Sequence, residues 1–315
     1  MRVGRETPPP RPLLMPMPPI PVIVNTTSGI GHSAEDLQAI AGELREAGIE
    51  ARIVEAKDGK EIGDLAREEL KSSAPVVVAA GGDGTISAVA DAVRGTDTAL
   101  GVLPLGTRNH FAKDLGIPVD RREAIRVIAE GHRKAIDVGE VNGHVFINNS
   151  SLGLYPDLVH SREERSRKLR HGRRSALIWA VLAGMRRTPL LRLTLRLEGE
   201  ERRCRSPFVF LGNNEYDMQG FHIGTRARLD GGFLSIYTTT RSRFGALFGL
   251  ALRALFKRLD QAADFSILRA REVRVESREP RMLVATDGEI RMLETPLDYL
   301  IVPRSLNVLV PPGAE

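Results

Sequence analysis

The chain has 315 residues, of which 42% are hydrophobic and 27% are charged, and its formal net charge is +5. This length and composition suit two packed domains and exclude a fibrous or largely disordered chain. The single cysteine, Cys204, excludes an intrachain disulfide framework and a cysteine-rich zinc site. Residues 1–20 are rich in proline, which excludes the apolar helix of a signal peptide, so we expect them to form a disordered leader.

Residues 21–138 alternate short β-branched runs with stretches of helical periodicity. The predicted strands include residues 21–25, 74–80 and 99–103. Strands that alternate with helices are typical of a parallel sheet covered on both faces. We therefore predict an N-terminal Rossmann-like, three-layer α/β domain suited to binding a nucleotide.

Residues 139–315 show period-two alternation with turn signals, which predicts an antiparallel β-sandwich. Two helices are predicted to interrupt it, near residues 172–187 and 242–260. The last predicted strand, residues 300–310, can return to the first domain. The predicted fold class is thus α/β followed by an all-β sandwich.

Two features bear on a membrane. The longest apolar stretch, from Phe244 to Phe256, is too short to span a bilayer. Basic residues crowd positions 162–174, which suits an anionic surface such as a lipid leaflet, although a solvated face explains them equally well. Nucleic acid is disfavoured because the cluster lacks interleaved aromatic residues.

The string Gly81-Gly82-Asp83-Gly84-Thr85 follows a buried strand and opens a helix. Small residues at such a junction let backbone N–H groups approach and hold phosphate oxygens, which a larger side chain would prevent. A glycine pair after a strand is often only a turn, but the five-residue string is far more specific. It predicts a phosphate-binding loop.

Two further loops follow strands of the same sheet. One contains Gly106, Thr107 and Asn109, and the other contains Asn25, Ser28 and Gly29. The carboxyl edge of an open parallel sheet is where such folds bind ligands, so the three loops together predict a nucleotide site. Taken alone, Asn109 is also explained as the cap of a helix.

These motifs, followed by Asp287-Gly288-Glu289, occur in an order that resembles the diacylglycerol kinase catalytic family, which includes bacterial lipid kinases and sphingosine kinases. The resemblance runs from about Pro21 to Val310 and implies ATP and Mg²⁺ as cofactors. It implies that the three loops bind the nucleotide, that Asp287 is the catalytic base, and that Glu289 and Asp83 complete the catalytic set. On its own, an Asp-Gly pair is more often a hairpin turn.

The sequence departs from that family where the family handles metal or nucleotide. The position after Asn109 is His110 in place of an aspartate, and Gly231 replaces the second acid of an Asp-Asp-Gly loop. The resemblance leaves Asp230 as a candidate metal ligand, with the main chains of Arg228 and Phe233. No histidine lies at zinc-ligand spacing from His110.

These inferences predict an ATP-dependent lipid kinase that transfers the γ-phosphate to a hydroxyl of a diacylglycerol-like or sphingoid membrane lipid. We expect a cytoplasmic protein with peripheral membrane contact and no nucleic-acid partner, and a homodimer is compatible with the sequence. NAD kinase is the first alternative, because it shares the GGDGT loop and because Asn213-Asn214-Glu215 offers a similar Asn-Glu pair. The second alternative is a catalytically weak, nucleotide- or lipid-binding regulator.

Overall fold

The structure is a computed structural model, and it describes residues 18–26, 33–72, 74–153, 190–219, 222–239 and 265–314. Several predicted features lie outside these residues. They are the bulk of the leader, Ser28 and Gly29, the basic cluster at 162–174, and the helices near 172–187 and 242–260.

The N-terminal half contains four parallel strands and the helices that cover them. The strands are β1 (Ile20–Asn25), β2 (Ala51–Ala56), β3 (Val76–Gly81) and β4 (Ala99–Pro104), and they lie in the order β2-β1-β3-β4. The helices are α1 (Ala34–Glu46), α2 (Gly59–Leu70), α3 (Asp83–Val93), α4 (His110–Asp114) and α5 (Arg121–Glu130). Every residue of β3 and β4 is buried, as expected for central parallel strands with helices on both faces.

The remaining strands build the second half of the molecule. They are β5 (Arg133–Val141), β6 (His144–Phe146), β7 (Asn149–Gly153), β8 (Leu191–Leu197), β9 (Glu200–Ser206), β10 (Phe208–Asn213), β11 (Tyr216–Gln219), β12 (His222–Arg226), β13 (Leu234–Thr239), β14 (Phe265–Ala270), β15 (Glu272–Ser277), β16 (Arg281–Thr286), β17 (Glu289–Glu294) and β18 (Leu297–Leu309). A six-stranded antiparallel sheet has the order β14-β13-β10-β7-β16-β17. Its apolar face shares one core with strands β8, β15 and β18, which makes the second half a β-sandwich.

Strand β18 connects the two halves. Its Val308 pairs in parallel with Leu100 of β4, while the same strand pairs antiparallel with β5 and β15. The parallel sheet therefore continues into one layer of the sandwich, in the order β2-β1-β3-β4-β18-β15-β8-β9. The predicted fold class, an α/β domain followed by an antiparallel sandwich, is confirmed.

Some strands were not anticipated from the sequence. The clearest is β5, which carries the charged residues Asp137 and Glu140, so its pattern does not alternate cleanly. Strand β9 is almost entirely polar because it lies at the exposed edge of its sheet. Periodicity detects strands with one apolar face, and neither strand fits that description. Among the described residues, no helix is long and apolar enough to cross a bilayer.

Candidate active site

The phosphate-loop candidates leave the parallel sheet at one edge. Gly81, the last residue of β3, pairs with Pro104, the last residue of β4. Val24 of β1 pairs with Ala80, so Asn25 ends its strand level with the other two. The loops after β1, β3 and β4 therefore start side by side, as the sequence predicts for a ligand site.

The loops that follow β3 and β4 contact one another through their glycines. A Cβ added at Gly106 would lie 2.5 Å from the Cα of Gly82 and 2.8 Å from Oδ1 of Asn109. A Cβ at Gly81 would collide with the side chain of Thr85. By contrast, nothing lies within 4 Å of a Cβ added at Gly84. Close packing requires glycine at two of these positions, whereas Gly84 faces open space on the loop where a phosphate would bind.

The loop after β3 continues directly into α3. Gly82 is the N-cap and offers no side-chain hydrogen bond, so the first N–H groups of α3 are uncapped by it. Asp83 Oδ1 accepts a hydrogen bond from the backbone N–H of Phe111 at 3.1 Å. Asp83 thus ties the GGDGT loop to α4, while Thr85 is buried beneath it.

Asn109 organises the second loop. Its backbone is left-handed, with φ of 50°, and its Nδ2 donates to the carbonyl oxygens of Pro104 at 3.2 Å and Gly106 at 2.9 Å. It occupies the N-cap of α4 without a capping side-chain bond. Thr107, Arg108 and His110 are exposed, so Thr107 and Arg108 are side chains of this loop that are open to a ligand.

Asp287 forms a hairpin turn and also directs its carboxylate between the two domains. It has φ of 49° and is followed by Gly288 with φ of 92°, as a two-residue turn between β16 and β17 requires. Its Oδ2 accepts from Ser87 Oγ at 2.7 Å and from the N–H of Ile147 at 2.7 Å. Its Oδ1 accepts from the N–H groups of Asn148 at 2.9 Å and Asn149 at 3.0 Å.

These contacts have opposing effects on the Asp287 carboxyl. Desolvation raises its pKa above the ordinary value, and the bonds from Ile147, Ser87, Asn149 and Asn148 oppose that rise. The net direction is upward. A carboxylate with a raised pKa and a fixed orientation has the properties of a general base.

Ser87 was not identified from the sequence. It lies on α3, four residues after Asp83, so the two side chains project from the same face of that helix. That spacing was the available signal. The peptide N–H groups of Ile147, Asn148 and Asn149 left no signal in side-chain identity, because backbone atoms make the contacts.

Glu289 is exposed and forms an ion pair with Arg291 on the same strand. A Cβ added at Gly59 would lie 3.3 Å from Glu289 Oε1, so this carboxylate faces the start of α2 in the first domain. It lies at the domain cleft. Its assigned place in the catalytic set stays a prediction.

In the loop from Arg228 to Phe233 the candidate metal ligand Asp230 is ion-paired with Arg228, and the role of this loop in metal binding stays a prediction. The Asp230 carboxylate accepts from Arg228 Nε at 3.2 Å, and that bond lowers the pKa of Asp230. A Cβ at Gly231 would lie 2.6 Å from Asn214 Oδ1, so a second acid there would require the loop to shift. No group of three acidic, histidine or cysteine side chains able to hold a metal occurs within the described part of the chain.

Two of the three residues that suggested NAD kinase are enclosed in the protein interior. Asn213 Nδ2 donates to the carbonyl oxygens of Asp137 and Ile147, both at 2.9 Å, and Asn214 Nδ2 donates to Asp137 Oδ2 at 3.2 Å. Both asparagines are buried, whereas Glu215 is partly exposed and is ion-paired with Arg269 at the surface.

Asp137 has a structural role that the sequence did not indicate. It is buried within β5, and its carboxylate accepts from the N–H groups of Gly232 at 2.6 Å and Arg304 at 2.9 Å, besides Asn214. Asp137 therefore holds loops of the sandwich to the end of the first domain.

The fold and the loops define a two-domain kinase, and comparison with known proteins agrees. The family model described as diacylglycerol kinase catalytic domain matches residues 19–141. The model described as YegS C-terminal NAD kinase beta sandwich-like domain matches residues 159–310.

Relatives match along nearly the whole chain. A Pseudomonas aeruginosa protein named probable lipid kinase YegS-like is 30% identical over 292 residues, which are 89% of this chain and 91% of that protein. A Mycobacterium tuberculosis diacylglycerol kinase is 27% identical over 301 residues, 93% of this chain and 95% of the relative. A Bacillus anthracis crystal structure of a diacylglycerol kinase, 21% identical, shares the fold with a TM-score of 0.69 over 94% of this chain and 98% of that one. The chain belongs to the diacylglycerol kinase and YegS-like lipid kinase family, and it is a kinase.

Proposed function

We propose that this kinase uses ATP to phosphorylate a hydroxyl of a membrane lipid of the diacylglycerol or sphingoid type. The observation that carries the proposal is the hydrogen bond between Asp287 and Ser87. Ser87 lies on α3, whose first residue belongs to the GGDGT loop. The bond therefore places a candidate base one helical turn from a candidate phosphate loop.

In this mechanism the γ-phosphate of ATP lies over the loops at residues 81–85 and 106–109. Uncapped N–H groups at the start of α3 and the Thr107 hydroxyl hold phosphate oxygens. Asn25 and the residues after it, including Ser28 and Gly29, hold another part of the nucleotide. A magnesium ion bound with ATP would neutralise charge on the phosphates. Such an ion is held by one or two protein carboxylates, and Asp83, the acid of the GGDGT loop, would supply one of them.

Asp287 accepts the proton of the lipid hydroxyl as that oxygen forms a bond to the γ-phosphorus. The bond between the γ-phosphorus and the oxygen that bridges it to the β-phosphate breaks, and ADP leaves. Of the four hydrogen-bond donors to Asp287, three are backbone N–H groups and one is the Ser87 hydroxyl. The backbone donors are fixed by the strands, whereas a serine side chain can rotate away. The lipid hydroxyl then donates to Oδ2 in place of Ser87, and its proton passes to that oxygen.

The setting of the reaction follows from the same proposal. Because the acceptor is a membrane lipid, the protein works in the cytoplasm in peripheral contact with an anionic leaflet. We place the nucleotide domain at residues 21–138 and the lipid domain at 139–315, after a leader at 1–20. A homodimer is compatible with this arrangement.

The test is transfer of label from γ-labelled ATP into an extracted lipid mixture supplemented with NAD. The wild type is compared with Asp287→Asn, which keeps the shape of the side chain but cannot accept a proton at neutral pH. The matched control is Asp97→Asn, an exposed aspartate outside the site. We expect labelled lipid from the wild type and the control. The Asp287 variant should label at least about a hundredfold less lipid, because loss of a general base lowers the rate by that much.

Three results would overturn the proposal or part of it. No label in lipid from the wild type would remove the lipid kinase activity. Label found in NAD rather than in lipid would identify the protein as an NAD kinase. Equal lipid labelling by Asp287→Asn and the wild type would remove Asp287 as the base. Chromatography of the labelled lipid identifies the acceptor.

A further inference from the structure

A second polar centre lies behind Asp287 and is entirely enclosed. The side chain of Arg226 is 0% exposed and that of Asp114 is 5% exposed. Arg226 Nε donates to Asp114 Oδ2 at 2.7 Å, and the backbone N–H of Arg226 donates to Asp114 Oδ1 at 3.3 Å. The pair joins the last residue of α4 in the first domain to the last residue of β12 in the second.

The rest of the Arg226 guanidinium is also bound. Nη1 donates to the carbonyl oxygens of Ile147 at 2.7 Å and Asn213 at 3.1 Å, and Nη2 donates to Asn148 Oδ1 at 2.8 Å. The guanidinium lies over the ring of Tyr216, 5.2 Å from its centroid. Arginine suits such a site because its donors form a rigid planar fork.

A buried ion pair is not explained by stability alone. Removing two charges from water costs several kcal/mol per ion, and well-packed apolar residues of similar volume are often as stabilising. The geometry of the contacts is therefore the more informative feature. Arg226 holds Ile147 and Asn148 by their oxygen atoms, and the N–H groups of the same two residues hold Asp287.

The other end of the pair leads to the phosphate loops. Asp114 ends α4, a helix of five residues that starts at His110, directly after the loop that ends at Asn109. The N–H of Phe111 in the same helix donates to Asp83 of the GGDGT loop. A continuous set of hydrogen bonds thus runs from that loop through α4 and Arg226 to the peptides that hold Asp287.

We propose that Arg226 and Asp114 are positioning residues, which fix the Ile147–Asn149 segment relative to the phosphate loops and so aim the Asp287 carboxylate at the acceptor. The inference deepens the proposed function and rests on it. Neither residue touches substrate in this scheme. Each acts through the peptides between them and Asp287.

The charged and titratable groups around Asp287 determine the pH effect. Arg226 interacts electrostatically with Asp287, and Tyr216 and Asp114 belong to the same group of interacting charges. In the double variant the loss of the Arg226 charge, which disfavours the Asp287 carboxylate, is offset by the loss of the Asp114 charge, which favours it. The direction is therefore set by the loosening of the three N–H donors, which disfavours the carboxylate and shifts the acid limb of the pH profile to higher pH.

The experiment uses the double variant Asp114→Leu, Arg226→Met in the full chain, because removing one partner alone would leave an unpaired buried charge. The matched control is Glu43→Leu, Arg121→Met, which removes the two-bonded ion pair between α1 and α5. Measured are kcat, KM for ATP, the pH profile of kcat, and hydrogen exchange of the amides at 147–149.

We expect kcat of the site variant to fall by about tenfold or more, because a misplaced Asp287 carboxylate is a poorer base. The KM for ATP should stay within about twofold of the wild-type value. The acid limb of the variant moves to higher pH and the three amides exchange faster. The control keeps all four values. If the double variant fails to fold by circular dichroism, Arg226→Lys replaces it, since lysine keeps the charge and loses the fork, and the same loss in kcat is expected.

Three results would overturn the inference: a kcat within about twofold of the wild type, an equal loss in the control, or amides at 147–149 that exchange as in the wild type. The exchange measurement needs no substrate. It therefore tests the positioning role even if the wild type transfers no phosphate to lipid. That outcome would overturn the proposed function but not the positioning role.

Discussion

At the scale of single residues, Asp287 forms the hairpin turn that the sequence offered as the alternative to a catalytic base, and that turn is compatible with the proposed base. The Asp-Gly pair does form a hairpin turn, and the left-handed backbone of that turn places the carboxylate over the peptides of Ile147 to Asn149. A turn is held rigidly by the two strands it joins. It is therefore a suitable place for a group whose orientation matters.

Ser87→Ala tests whether the Asp287 carboxylate is tuned by the first domain. The Ser87 bond lowers the pKa of Asp287, so its loss raises that pKa further in the free enzyme. A hydrogen bond to a charged group is worth about 1.5–3 kcal/mol, so its loss should have a measurable effect. Because activity needs the ionised carboxylate, the acid limb of kcat/KM should move to higher pH.

The pH profile of kcat should move much less, because the bound lipid hydroxyl takes the place of Ser87 at Oδ2 in the complex. Ser72→Ala is the control, since Ser72 Oγ donates only to the Glu69 carbonyl oxygen at the end of α2. Unchanged kcat/KM limbs in Ser87→Ala would contradict the role given to Ser87. Equal shifts in both profiles would show that the lipid hydroxyl does not displace it.

At the scale of elements, the two phosphate-loop candidates contain glycines that are needed for different reasons. Gly106 is required by the protein, because a Cβ there would meet Gly82. Gly84 has open space around it, so only a bound phosphate would make a side chain unfavourable there. The two positions separate the needs of folding from the needs of binding.

Gly106→Ala should lower both the melting temperature and the affinity for ATP, since overpacking costs about 1–3 kcal/mol. Gly84→Ala should leave the melting temperature unchanged and weaken ATP binding by about tenfold, which corresponds to about 1.4 kcal/mol. Calorimetric unfolding and titration with ATP measure the two quantities. Gly42→Ala on α1 is the control, with no atom within 4 Å of the new Cβ and no loss of affinity expected.

If Gly84→Ala binds ATP as tightly as the wild type, the phosphates do not lie over that residue. If Gly106→Ala keeps its melting temperature, the two loops are free to separate. Either result contradicts the loop geometry from which the nucleotide site is proposed.

The elements of the first domain were predictable because its strands are short apolar runs between clear helix signals. The sandwich was predicted in outline, yet β5 and β9 were missed because their charged residues break the alternation. In the site, the loops were found from glycine and turn chemistry. Arg226 could not be found, since an arginine in a polar stretch looks exposed until the fold brings Asp114 to it.

At the scale of the whole molecule, β18 packs into the hydrophobic cores of both domains. Val308 is buried in the core of the first domain, and Leu297 and Tyr299 at the other end of the strand are buried in the core of the sandwich. The backbone of Arg304, between them, is held by the Asp137 carboxylate. Loss of packing at one end of this strand should therefore be felt at the other.

Val308→Ala tests that coupling. The substitution removes two buried carbon groups and should lower the free energy of unfolding by about 2 kcal/mol. If β18 couples the domains, amides of β4 and of β15 should lose the same protection in native-state hydrogen exchange, because both strands pair with it. Val119→Ala, at an exposed position, is the control and should change neither. Loss of protection confined to β4 would mean that the sandwich unfolds independently. The alignment of Asp287 with the phosphate loops would then depend on the other contacts between the domains, among them those of Ser87, Arg226 and Asp137.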